Sequence, residues 1–235
     1  MAATIRIGAS GFSYKEWLGR FYPPKLPGAK MLAYYGERLP TVEINYTFRA
    51  MPRRAMLEGW AAKTPAHFRF ALKAPQRITH FARLRAIGET LDYFIETAQA
   101  LGERLGPVLF QLPPDLGRDD TLLGEFIAQI GRRVRAAFEF RNRSWFAAPV
   151  LDVMRSGGAA LCVAETEKLA SPVEATASHV YLRLRKENYD EPSLSEWAKQ
   201  IRVLAAEADE IFIYFKHEAA APELAMRLKT LIEQC

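Results

Sequence analysis

The segment FEFRNRSW, residues 138–145, puts two opposite charges where a buried strand would end. Strand side chains alternate between faces, so Glu139 and Arg141 share one face while Phe138 and Phe140 share the other. Ionised groups are costly in a strand covered on both sides unless they are paired or line a cavity. The pair therefore marks a candidate site, with Glu139 suited to general acid or base chemistry and Arg141 to orienting an anion.

The same parity can be followed to the ends of other β-rich runs. TVEINYTF offers Glu43, Asn45 and Thr47, HFRFALKA offers Lys73, and PVLFQL offers Gln111. Glu165 in AALCVAE, Arg183 and Arg185 in HVYLRLR, and Tyr214 and Lys216 in EIFIYFK extend the series. The catalytic candidates are Glu139, Lys73, whose charge suits a developing anion, and Glu43. The substrate-binding candidates are Asn45, His80, Gln111, Arg141, Trp145, Arg183, Tyr214 and Lys216. An ionic network that merely plugs the core is the competing reading, and it calls for matched charges. Here Lys73, Arg141, Arg183, Arg185 and Lys216 face Glu43, Glu139 and Glu165, an excess that favours a small anionic ligand such as a carboxylate or phosphate.

Smaller signals surround this set. His80 in KAPQRITH is a proton shuttle or a turn residue. FQLPPD joins Gln111 to two prolines that stiffen the following loop. In GASGFSYKEW small residues let the backbone approach a ligand, although G-x-x-G is too common to mark a phosphate loop. Trp145 and Tyr46 are an aromatic wall for a sugar or base, or packing residues. Four histidines with no i, i+4 pair give too few ligands for a multi-zinc cluster. No cofactor is expected, and the residual metal option is a single Mg²⁺ or Mn²⁺ held by Glu43 and Glu139.

The elements that must position these residues follow from periodicity. Strands are expected at 4–10, 41–48, 67–74, 107–112, 135–141, 159–165, 179–185 and 210–216. Helical spacing covers 29–38, 53–63, 88–104, 119–130, 147–155, 194–207 and 221–233. Asp119 is a candidate N-cap, Gly157-Gly158 a stop, and Pro222 a first-turn residue. TEKLASPVEATAS, after the sixth strand, has weak helical periodicity, so a helix is expected to be missing there. The alternation predicts an α/β fold, a single (β/α)8 TIM-barrel-like domain over 1–235, with its site at the strand C-termini.

Composition is that of a globular chain: 235 residues, 49% hydrophobic and 25% charged. No apolar run approaches the roughly 18 residues of a membrane span, and no signal-like start is present, so no membrane partner and a cytoplasmic location are expected. Cys162 and Cys235 are not expected to form a structural disulfide. Residues 1–83 hold 14 Lys and Arg against 4 Asp and Glu, while the remainder holds 18 against 23. The N-terminal third is thus basic, which permits an anionic partner, nucleic acid included.

VEINYTFRAMP, FRFALKAPQRITH, GPVLFQLPP and FEFRNRSW, followed by VYLRLR and IFIYFK, resemble in order the motifs of the DUF72, or YecE-like, family. The resemblance spans the first to the eighth strand. It implies a TIM-barrel-like fold and a bacterial or archaeal cytoplasmic origin, and assigns no biochemical function. Asn45, Lys73, Thr79, His80, Gln111, Glu139, Arg141, Ser144 and Trp145 match the family pattern. Two places depart from it. Arg183 is followed by Leu184-Arg185-Lys186 where the family usually has His-Gly, and Lys216-His217 stand where two asparagines are usual.

Three functions compete. The first is an enzyme acting on a small anionic or sugar-phosphate-like substrate at the barrel mouth. The second is a nucleic-acid-binding protein or nuclease using RFYPPK and FRAMPRR. The third is a ligand sensor without catalysis.

Overall fold

Each β-rich run carries large apolar side chains on one face and small or polar ones on the other, and this asymmetry closes the sheet. The computed structural model describes residues 3–166, 169–217 and 219–234. Its strands are β1 (Thr4–Ser10), β2 (Thr41–Ile44), β3 (Arg69–Lys73), β4 (Leu105–Gln111), β5 (Ala136–Glu139), β6 (Ala160–Glu165), β7 (His179–Leu184) and β8 (Glu210–Phe215). Neighbours in this order pair in parallel, and β8 pairs with β1 to complete an eight-stranded barrel. The expected α/β barrel is therefore the observed one.

The helices are α1 (Gly28–Gly36), α2 (Tyr46–Arg49), α3 (Arg54–Ala61), α4 (Gly88–Ala98), α5 (Asp120–Ile130), α6 (Ala148–Gly157), α7 (Glu191–Ala205) and α8 (Ala221–Gln234). Asp119 caps α5 by accepting from the Leu122 amide, and Gly158 ends α6 in the left-handed region at φ 65°. No helix follows β6 among the described residues. The chain instead turns back along the strand: Thr176 Oγ1 donates to the Ala159 carbonyl at 2.8 Å and accepts from the Leu161 amide at 2.7 Å. Those two bonds tie the returning loop to β6.

Outward residues such as Phe70, Phe110, Phe138 and Leu182 form the main core under the helices. The inward set is Ala71, Leu109, Ala137, Ala160, Cys162, Ala164, Tyr181, Phe212 and Tyr214. Alanines on β3, β5 and β6 leave room that the large rings of β7 and β8 fill, so the interior is packed side to side by unequal residues. Tyr181 and Tyr214 lie 5.1 Å apart across this interior. Cys162 is a buried free thiol, and Cys235 lies outside the described residues. Among the described residues no helix is long and apolar enough to cross a membrane.

Close approach requires a glycine on β1. A Cβ at Gly8 would lie 2.0 Å from the Thr41 carbonyl oxygen, with the Tyr35 hydroxyl 2.9 Å away. Backbone cannot yield as a side chain does, so Gly8→Ala is expected to destabilise the fold by about 1–3 kcal/mol. Urea unfolding checks this, and an unchanged midpoint would refute the close-approach argument.

Candidate functional site

Arg183 leaves β7 at an inward position and reaches between carboxylates from β2 and β5. Its Nη2 donates to Glu43 Oε1 at 2.8 Å, and Nη1 donates to Glu139 Oε2. Nε lies 2.8 Å from Glu43 Oε2 without a well-aligned hydrogen bond. All three side chains are buried. Three charges out of water are tolerated only when every oxygen is occupied, and Glu43 meets that condition. Ser10 Oγ and Asn45 Nδ2 donate to its Oε1, and the Tyr181 hydroxyl donates to its Oε2 at 2.7 Å.

The electrostatics follow from this enclosure. Burial works against the Glu43 carboxylate, yet the Arg183 charge and the bonds from Ser10, Arg183 and Tyr181 carry its pKa down to about 2. Burial likewise opposes the Arg183 charge, but Glu139 and Glu43 outweigh it and hold the guanidinium well above its ordinary value.

Two further arginines cover Glu139 from the mouth side. Arg141 Nη2 pairs with Oε1, and Arg185 Nη1 donates to the same oxygen at 3.4 Å. Each is mostly buried, and the Nε of each is buried without a hydrogen-bond partner. Both guanidiniums line a cavity of about 530 Å³, together with Gln111, Pro114, Thr166 and Glu187.

Lys73, the last residue of β3, stands beside this cavity. Thr47 Oγ1 donates to its carbonyl at 2.7 Å, while Nζ donates to Gln111 Oε1 at 2.8 Å and sits 3.8 Å over the Phe48 ring. Desolvation and the nearby Arg183 lower its pKa to about 8, against the opposing pull of Glu43 and Glu139. His80 packs edge-on against the Phe48 ring, 4.9 Å away, and shares a hydrogen bond at Nδ1 with Thr79 Oγ1 at 2.9 Å. Its pKa is lowered by desolvation and then by Lys73. His80 belongs to a π-helical turn, Arg77–Phe81, a form frequent at functional sites. Arg83, Leu84 and Ala86 follow with φ of 50°, 66° and 48°, a run of strained non-glycine backbone.

The structure thus gathers Glu43, Asn45, Lys73, Gln111, Glu139, Arg141 and Arg183, with Arg185, around the strand C-termini, and sets His80 beside them. Lys216 stands exposed at the rim, its pKa lowered by desolvation and by Arg185 and Arg183. Other expectations need correction. Trp145 is 0% exposed, stacked 4.8 Å from Phe140 with its Nε1 donating to the Leu116 carbonyl, so it props the loop and offers no wall to a ligand. Tyr214 is buried within the barrel, its hydroxyl bonded to Thr41 Oγ1 at 2.8 Å. Glu165 points outward to Tyr189, Trp197 and Lys186, because Ala164 is the residue in register with Arg183. Strand β2 ends at Ile44, so Asn45 and Thr47 are presented by a helical turn rather than a strand face.

Glu139 also differs from the acid or base expected of it: its oxygens are all engaged by guanidiniums. Arg183 occupies the space between the two carboxylates proposed for Mg²⁺ or Mn²⁺, and no metal-holding group of three His, Cys, Asp or Glu exists among the described residues. The residues overlooked were Ser10, Tyr181 and Phe48. Parity alone would have found Ser10 and Tyr181, the last inward residue of β1 and the neighbour two before Arg183.

The model for "Protein of unknown function DUF72" matches residues 6–235. The chain belongs to the DUF72 family. This DUF72 protein is 25% identical to the UPF0759 protein YunF of Bacillus subtilis, over 92% of this chain and 89% of the relative. It is 28% identical to the UPF0759 protein YecE of Escherichia coli, over 61% of this chain and half of the relative's length. A DUF72 family protein from Thermotoga maritima superposes with a TM-score of 0.85 at 24% identity, covering 98% of this chain and 99% of that one. One from Enterococcus faecalis gives 0.81 at 19% identity, covering 98% and 96%. These structures share the fold of this DUF72 chain.

The buried triad generates a stability prediction. Arg183→Met leaves Glu43 and Glu139 without their shared partner and is expected to cost about 3–5 kcal/mol, measured by urea unfolding at neutral pH. In the wild type, a carboxylate whose folded pKa is depressed contributes stability that is complete above its unfolded pKa. The Glu43 contribution is therefore present above pH 4.5 and lost as pH falls towards 2. An Arg183→Met variant as stable as wild type would refute the pairing argument.

Proposed function

We propose that this chain is an enzyme that binds a small anionic substrate, a carboxylate or phosphate ester, in the cavity at the barrel mouth. The observation that carries this reading is the pair Arg141 and Arg185. Both guanidiniums line the cavity, share one oxygen of Glu139, and keep a buried Nε unpartnered. Five cations, Lys73, Arg141, Arg183, Arg185 and Lys216, stand against three carboxylates there, Glu43, Glu139 and Glu187. The surplus suits one more anion, and guanidinium forks suit its geometry.

Within this reading Glu43 and Glu139 are positioning residues that hold the arginines. Lys73 supplies positive charge or a proton to the reacting group, since a lysine with a pKa of about 8 is charged at neutral pH and releases its proton easily. Sulfate or phosphate titrated into the protein tests the anion site. Arg185→Ala and Arg141→Ala are each expected to weaken binding about tenfold or more, with the barrel intact by circular dichroism. Wild-type affinity in both variants removes the proposal.

The Lys73 role has its own signature. A lysine with a lowered pKa keeps its charge below that pKa and loses it as pH rises through it. Anion affinity should therefore fall above about pH 8 in the wild type, and Lys73→Met should abolish that step while retaining binding at lower pH. A Lys73→Met variant with the same pH profile would exclude the assignment.

One observation favours a second reading, nucleic acid. Phe81 is 73% exposed and shares a cavity with Arg49 and Arg77, a stacking and phosphate pairing typical of single-strand binding. Retention of single-stranded oligonucleotides that weakens steeply with salt and is lost in Phe81→Ala would support it. No retention at low ionic strength would remove it.

A further inference from the structure

A second cavity, of about 430 Å³, opens beside the ends of β1 and β2, away from the arginine pair. Its walls are Phe12, Tyr14, Tyr46, Met56 and Trp60, with Asn45 among its polar groups. Size and lining are those of a small-molecule site: mostly aromatic surface with a few placed polar atoms. We propose that it receives a flat aromatic or heteroaromatic ring bearing one N–H or O–H donor, which Asn45 Oδ1 accepts.

The walls are built before any ligand arrives. Gly11 donates its amide to the Glu43 carbonyl at 2.8 Å, the Tyr14 hydroxyl donates to the Ser10 carbonyl at 2.8 Å, and the Tyr22 hydroxyl donates to the Phe12 carbonyl. Gly11 takes φ 104°, and a Cβ there would lie 2.7 Å from the Tyr14 ring, so the loop fits only one way round. Trp60 stacks on Phe70 at 6.1 Å and meets Phe12 edge-on at 6.4 Å. Tyr46 nevertheless remains 57% exposed beside the cavity, an aromatic surface that a ligand would cover.

The polar end of the cavity selects the ligand. Asn45 Nδ2 donates to Ser10 Oγ at 2.7 Å and to Glu43 Oε1 at 3.1 Å, which fixes the amide orientation, because a carboxylate accepts only. Oδ1 is then the free end, and it accepts no bond from the described residues. Ser10 Oγ is spent on Glu43 and Asn45. A sugar, with many hydroxyls, would find few partners here, whereas a ring with one donor finds the acceptor it needs. This inference does not depend on the anion site.

Titration of the full chain with indole, phenol, toluene and glucose, followed by chemical-shift changes, tests it. Indole and phenol are expected to bind with Kd near about 1 mM, toluene about fivefold more weakly, and glucose not at all. Asn45→Ala and the surface variant Tyr46→Ala should each weaken indole binding about fivefold to tenfold. Tyr46→Ala keeps the test valid if Asn45→Ala disturbs Glu43, and its sulfate binding should stay unchanged. No indole or phenol binding at about 10 mM, glucose binding better than indole, or indole affinity untouched in Tyr46→Ala overturns the inference. Sulfate binding that fails while indole binding holds overturns only the anion reading.

Discussion

The mouth of the barrel depends on one buried contact: the guanidinium of Arg183 held between Glu43 and Glu139. Each carboxylate alone would be costly in the interior, and the two share that cation as their common partner. Because the two acids come from β2 and β5 and the base from β7, the triad braces the barrel across its width. The charges at the mouth thus fall into two layers of one arrangement. The lower layer sets one guanidinium against two carboxylates; the upper layer, Arg141 and Arg185 over Glu139, turns that deficit into a surplus of one positive charge.

That layering rests on side-chain size below it. Ala137, Ala160, Cys162 and Ala164 on β5 and β6 cannot fill the interior, so Tyr181, Phe212 and Tyr214 cross it from β7 and β8. Tyr181 does so with its hydroxyl on Glu43, converting a packing residue into part of the polar network. A larger residue at Ala137 or Ala164 would compete with the rings for that space and tilt the carboxylates away from Arg183.

The eight strands and the inward parity of Glu43, Lys73, Gln111, Glu139 and Arg183 were legible in the sequence because period-two alternation is set locally by the pleat. Glu165 shows where that logic stops. Alternation within a strand is local, but its phase relative to the next strand is set by register, and Ala164 rather than Glu165 lines up with Arg183. Trp145 shows a second limit: its neighbour Phe140 and the Leu116 carbonyl that satisfies its ring nitrogen come together only through loop geometry. The absence of a helix after β6 among the described residues was readable from weak periodicity, whereas the Thr176 bonds found there depend on how the loop returns along β6, which no periodicity encodes. Arg185 was readable as an extra cation, but not its convergence with Arg141 on one oxygen of Glu139, which needs both strand ends in place.

The opposite end of the barrel supplies a control within the same molecule. There Glu210 also gathers arginines: Arg6 Nε donates to its Oε1 at 2.7 Å, and Arg135 pairs with its Oε2. Each also donates to backbone, Arg6 to the His67 carbonyl at 2.9 Å and Arg135 to the Leu105 carbonyl at 3.3 Å. Arg135 also lines a cavity, of about 740 Å³. At the mouth the same residue types converge on Glu139, yet the Nε groups of Arg141 and Arg185 remain buried and without partners. Buried donors without partners are destabilising to keep; Arg6 and Arg135 keep none, whereas Arg141 and Arg185 each keep one, as does Arg183 beneath them.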